Sequence, residues 1–152
     1  MNEQASQRSL ELFRSFFFCA ESVLLAIAES QGIQSDLIPR IATGFCSGIS
    51  RTGGMCGAVS GAIMGINLAA GRNSPAESLE LSYTLTQKLI SRFERQYGSI
   101  NCRQLMGCDL VTEAGQRYFM ENNLMEQCLK YAEDATSMAI SLIAEYRDSR
   151  TT

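Results

Sequence analysis

Between Arg51 and Arg72 lie twenty residues, TGGMCGAVSGAIMGINLAAG, without one charged side chain. Eleven are apolar, six are glycine, and three (Thr52, Ser60, Asn67) are polar. The length is that of a membrane-spanning helix. Within it Gly57, Gly61 and Gly65 recur at every fourth position, a spacing also found where membrane helices pair. Two glycines open the stretch as a turn, however, and no basic or aromatic girdle flanks it. No membrane span is therefore expected. The stretch reads instead as a helix over about 55–71 with other helices around it. Glycine weakens a helix by about 1 kcal/mol relative to alanine, so a row of glycines signals close approach of another backbone. Burial on all sides accounts for the missing charges.

The remaining punctuation is helical. No alternating β-pattern occurs in the 152 residues, a length that suits one domain. Leu12, Phe16, Cys19, Val23 and Ala26 predict a helix over 4–30, stopped at Gly32. A short helix is expected over 35–44, with Pro39 in its first turn, and then a glycine-rich connection over 43–54. SPAE at 74–77 predicts a helix start, followed by Leu81, Leu85, Leu89, Phe93 and Tyr97 and a stop at Gly98. NCRQLMG at 101–107 predicts one or two turns, with Asn101 capping and Gln104 reaching back. Residues 112–121 form another short helix in this reading. The last begins with a capping box of Asn123 and Glu126 and carries Cys128, Tyr131, Ala135, Met138, Leu142 and Tyr146. The expectation is an all-α single helical domain over 1–152, with about five to six helices around a central Gly-rich helix.

Several function classes drop out. Net charge is −3 with scattered basic residues, so nucleic acid is not an expected partner. The chain has no histidine, which removes Ser-His and Cys-His pairs and every His-containing metal site. The opening MNEQASQRSLELF is polar, with mixed charges, and makes a poor secretory signal; the cytoplasm is the expected compartment. The glycine-rich loop lacks the lysine of a phosphate-binding loop.

Soft-metal or redox chemistry falls to Cys19, Cys46, Cys56, Cys102, Cys108 and Cys128. In a reducing compartment such residues more often bind metal or cycle than staple a fold. Cys56 and Cys102 both fall at predicted helix starts, where unpaired backbone N–H groups favour a thiolate. Cys19 and Cys128 fall in mid-helix on apolar stripes and read as small hydrophobes. Cys46 and Cys108 read as incidental. No CxxC pair exists, so any site has to be assembled from separate segments. The methionines and the aromatic SFFFCAES read as core packing. Glu21 reads as solvated. Arg51 and Arg103 are candidates to stabilise a thiolate, against a plainer role as loop charges.

The order of Cys19, then CGAVSG at 56–61, then Cys102 in FERQYGSINCRQLMG, then Cys128, resembles a family of small proteins proposed to be redox-active. The family is named for the pattern C…GCAxxG…C…C, and the similarity runs from Cys19 into the final helix. Its label writes glycine before cysteine, whereas this chain reads Cys56-Gly57-Ala58. The resemblance implies a helical fold and a redox or metal-linked role. It also implies that Cys19, Cys56, Cys102 and Cys128 are the working cysteines, as catalytic thiols or metal ligands. Gly57, Ala58 and Gly61 complete the central motif as cofactor-binding positions.

Three functions follow. In the first, two of the four cysteines cycle between dithiol and disulfide with a redox partner, Cys56 attacking and Cys102 completing the pair. In the second, the four hold a metal or an iron–sulfur cluster. In the third, the chain is a helical interaction module, for instance a homodimer, with cysteines as core filler.

Overall fold

The structure is a computed structural model that describes residues 2–150; the remainder of the expected span 1–152 lies outside the described residues. The described residues fold as an all-α bundle with eight α-segments, more than the five to six expected. They are α1 (Asn2–Arg14), α2 (Cys19–Ser30), α3 (Cys46–Ser50), α4 (Gly57–Ala70), α5 (Glu80–Tyr97), α6 (Cys102–Met106), α7 (Glu113–Glu121) and α8 (Met125–Ser149). A 3-10 turn, Arg40–Phe45, precedes α3. Among the described residues there is no strand, only one isolated antiparallel bridge between Met55 and Asn101. No helix among them is long and apolar enough to cross a membrane.

The extra segments arise where local hydrogen bonding interrupts an apolar pattern. The expected helix over 4–30 breaks at Ser15–Phe18. Phe16 turns left-handed (φ 76°), and the amides of Phe16 and Phe17 close back on Phe13 and Leu12 at 3.2 Å each. Glu21 then accepts the Phe18 amide at 3.2 Å and starts α2. The break turns Phe16, Phe17 and Phe18 outward, contrary to the expected core role; Phe16 is 86% exposed. The helix expected over 35–44 is the tighter 3-10 turn after Pro39. In SPAE, Glu77 does accept the amides of Asn73 and Ser74, but as a separate turn; α5 starts later, where Ser78 takes the Glu80 amide. At α6 the loop is held through Ser99, which accepts the Asn101 amide and donates to Gln104, so Gln104 does not reach back. Asn123 is left-handed and caps nothing by its side chain, so α8 begins after Leu124.

The glycine row does bring two backbones together. A Cβ on Gly57 would lie 2.3 Å from the Cys19 sulfur, on Gly61 2.6 Å from the Ala20 carbonyl oxygen, and on Gly65 2.7 Å from Ile27. All three neighbours belong to α2. One face of α4 is thus seated on α2 over its length, while α8 and α5 cover other faces. Helix α1 lies across α2 and α8. Phe93, Leu24, Ile27, Ile66, Leu89 and Leu142 are the largest side chains sealed in this core.

Between the 3-10 turn and α4 the chain does something unusual. Five consecutive residues, Ser47 to Arg51, have positive φ (57°, 64°, 58°, 54° and 72°), so α3 is a left-handed turn. Only Gly48 among them is a glycine. Each L-residue in that conformation costs about 1–2 kcal/mol, and single residues rather than runs are the rule. The turn is held by Arg51 N–H to Ser47 O (2.8 Å), Gly54 N–H to Gly48 O (2.9 Å) and the Thr52 hydroxyl to Ile49 O (2.8 Å).

Candidate functional site

The break before α2 moves Cys19 from mid-helix to a helix start. Cys19 is the first residue of α2, Cys102 the first of α6, and Cys128 lies in the first turn of α8. Cys56 is the N-cap of α4 (φ −52°, ψ 131°), just outside the helix rather than within its first turn as expected. These four side chains line one cavity of about 250 Å³. Cys46 and Cys108 do not line it.

Backbone hydrogen bonds fix Cys56 against Cys102. The Cys56 amide donates to Ile100 O at 2.6 Å, and the Cys102 amide donates to Gly54 O at 2.8 Å, on either side of the Met55–Asn101 bridge. Cysteines 56 and 102 therefore face the same side of that bridge as diagonal neighbours. Glycines make the room: a Cβ on Gly48 would fall 2.3 Å from Cys102 Cβ, as one on Gly57 would overlap the Cys19 sulfur. Cys128 approaches from the opposite side, its sulfur 3.7 Å from the Met106 sulfur.

The rest of the wall is mostly apolar, with Phe13, Leu105, Phe119 and Tyr131 among its residues. Among the described residues of its lining, Arg51 is the only charged one. Arg103 is turned elsewhere, to Asp109 at 3.2 Å. Met120, expected in the core, stands exposed at the rim together with Phe18. Of the motif residues, Gly57 lines the cavity, whereas Ala58 is sealed in the core and Gly61 is pressed on Ala20.

Burial governs the thiols. It pushes Cys56 up to about 11; the backbone amides of Ala58 and Val59 pull the other way and lose, and Cys102 adds to the rise. Cys102 is raised by burial and then by Cys108, and Cys128 by burial and then by Cys56, Cys102 and Cys108. This corrects the expectation of resting thiolates at Cys56 and Cys102. The helix-start amides are present, but removal from water outweighs their partial charges.

All six cysteines are free thiols. Among the described residues, no three Cys, Asp or Glu side chains converge as they would around one metal ion. Two residues read as bland in the sequence are not so here. Glu21 accepts the Thr43 hydroxyl at 2.9 Å and the Cys46 thiol at 3.6 Å. The amide of Ser47, next to Cys46, donates to the Cys19 sulfur at 3.5 Å, and the Cys19 side chain, ahead of burial, raises the Cys46 pKa. Neither relation has a spacing signal, since both depend on how a loop folds over the start of α2.

Fold and cavity together define a class: a helical bundle with free thiols facing a shared apolar space. The chain belongs to the family described as "Putative redox-active protein (C_GCAxxG_C_C)", which it matches over residues 17–142. A protein of Archaeoglobus fulgidus bearing the name "Uncharacterized protein" is 32% identical over 129 residues, covering 78% of this chain and 85% of that one. No solved structure matches the chain significantly.

Proposed function

We propose that this protein is a redox carrier working by thiol–disulfide chemistry at the cavity, with Cys56 and Cys102 as the cycling pair. Each thiol gives up one electron and one proton as the S–S bond forms, and a disulfide of the redox partner takes up both to become two thiols. The observation that carries this reading is that the four cysteines of the family pattern line a single cavity. Cys56 and Cys102 come first because the backbone bridge holds them on one face. Bond closure needs Cβ atoms about 3.8 Å apart, so oxidation draws the two strands of the bridge together. Cys19 and Cys128 complete the thiol wall, Gly57, Ala58 and Gly61 let α4 seat against it as the central helix, and Arg51 is the charge available to a developing thiolate. Exposed Phe18 and Met120 at the rim suit docking of the partner. A reducing cytoplasm fits six free thiols.

A Cys-ligated metal or iron–sulfur cluster is the second reading, favoured by the same four-thiol wall. The cysteines as they stand do not converge on one ion, so they fit this reading less well. Anaerobic purification followed by an absorption spectrum, metal analysis and a thiol count separates the two. The first reading expects colourless, metal-free protein that loses two thiols to a small disulfide and regains them with dithiothreitol. Stoichiometric iron or zinc with sulfur-to-metal absorption overturns it in favour of the second. A thiol count indifferent to oxidant, without metal, overturns both.

A further inference from the structure

The cavity holds only part of the sulfur chemistry. Beside Cys19, and off the lining of the cavity, lies Cys46; the two are 9% and 7% exposed, and the Cys19 side chain acts on the Cys46 thiol. The link is doubled by the backbone, because the amide of Ser47, the next residue, donates to the Cys19 sulfur at 3.5 Å. The Cys46 thiol is itself directed by hydrogen bonding to Glu21 (3.6 Å) and to the Ala42 carbonyl (3.8 Å). Of the two, only Cys19 lines the cavity. One sulfur is thus reachable from the cavity, and the other belongs to the residue that leads into the left-handed turn.

We propose that Cys19 and Cys46 form a second dithiol, in which Cys19 meets an incoming small-molecule disulfide and Cys46 resolves the product. The Cys19 sulfur attacks one sulfur of the disulfide R–S–S–R, forming Cys19–S–S–R and releasing one RSH. The Cys46 sulfur then attacks Cys19, the bond to R breaks, and a second RSH leaves. The two cysteine sulfurs together lose two electrons and two protons, and the two RSH molecules carry them away. This rests on the reading above only in using the same cavity for entry; the pair itself is separate from Cys56 and Cys102.

The test uses the full reduced chain, oxidised glutathione as R–S–S–R, alkylation of the remaining thiols with iodoacetamide, and peptide mapping by mass spectrometry. A cross-linked peptide joining Cys19 to Cys46 is expected, with alkylation of Cys46 falling about tenfold. It is expected equally in the Cys56→Ser/Cys102→Ser variant, while Cys46→Ser retains glutathione on Cys19. Cys46 remaining fully alkylated, or Cys19 bonding to any other cysteine in the wild-type chain, overturns the proposal. A Cys56–Cys102 bond formed while Cys46 stays alkylated overturns this proposal and leaves the first reading intact. A Cys19–Cys46 bond without a Cys56–Cys102 bond does the reverse. Should the double variant not fold, the wild-type map decides alone.

Discussion

Cys56 and Cys102 are locked in register by two backbone hydrogen bonds that run in opposite directions, Cys56 N–H to Ile100 O and Cys102 N–H to Gly54 O. Two helix starts, forty-six positions apart in the chain, are thereby held to one short bridge. In the proposed thiol–disulfide cycle the pair acts as a unit whose protons matter as much as its electrons.

Because burial keeps Cys56 protonated up to about pH 11, its oxidation in neutral solution releases a whole proton, and the same direction holds for Cys102. A two-electron, two-proton couple shifts by about 59 mV per pH unit, two protons each contributing about 30 mV. The midpoint potential measured against glutathione buffers should fall along that slope from about pH 6 to about pH 9. A slope near half that value would mean that one thiol is already ionised at rest, against the buried-thiol account.

Stability of the reduced protein should decline in alkali. An unfolded thiol ionises near pH 8.5, the folded Cys56 thiol near pH 11. The folded form therefore holds more protons between those values, and its advantage, complete below about pH 8.5, is lost as pH rises through about 11. The contribution at Cys56 is about 3 kcal/mol, with Cys46, Cys102 and Cys128 acting in the same direction. Urea unfolding across this range should show the decline, and Cys56→Ala should flatten it; stability that rises with pH would contradict the assignment.

Gly61 has no room for a methyl group, since a Cβ would stand 2.6 Å from the Ala20 carbonyl oxygen and 3.0 Å from Ala20 Cα. Backbone does not yield as a side-chain tip does. Gly61→Ala should lose about 3 kcal/mol in denaturant unfolding, and Gly61→Leu should lose more. Gly44→Ala, whose Cβ would meet only Ser50 Oγ at 3.9 Å, serves as the control and should change stability by less than about 0.5 kcal/mol.

Adjacent residues in the left-handed turn should respond oppositely. Ile49 is β-branched, partly exposed, and held at φ 58° and ψ 75°. Ile49→Gly relieves that strain and should raise stability by about 1 kcal/mol. Gly48→Ala adds strain and drives a Cβ to within 2.3 Å of Cys102 Cβ, so it should destabilise by about 2 kcal/mol. It should also speed alkylation of Cys102. Equal melting temperatures for the two variants would show that the turn carries no strain.

The helical class, the glycine row and the cysteine order were legible because they depend on local periodicity and on spacing along one helix face. Gly57, Gly61 and Gly65 could be read as a contact stripe from their spacing alone. The breaks were harder. The apolar pattern over 4–30 continues through Phe16, and only a left-handed residue with paired backbone bonds ends α1 there. That continuation of the apolar pattern hides the helix-start position of Cys19. Thiol ionisation was misjudged for a related reason: a helix start is visible in sequence, but the depth at which it is buried is set by distant segments. The relations of Cys46 to Cys19 and Glu21 lie outside any periodic signal, because they depend on how the 3-10 turn and the residues after it fold over the start of α2.

The seating of α4 on α2 has one more consequence. Cys19 and Cys56 begin those two helices, so with Gly57, Gly61 and Gly65 closing the gap the sulfurs sit on a single stiff block. In the proposed cycle, accommodation of an incoming disulfide then falls to the softer part of the lining, the thioethers of Met106, Met120 and Met125.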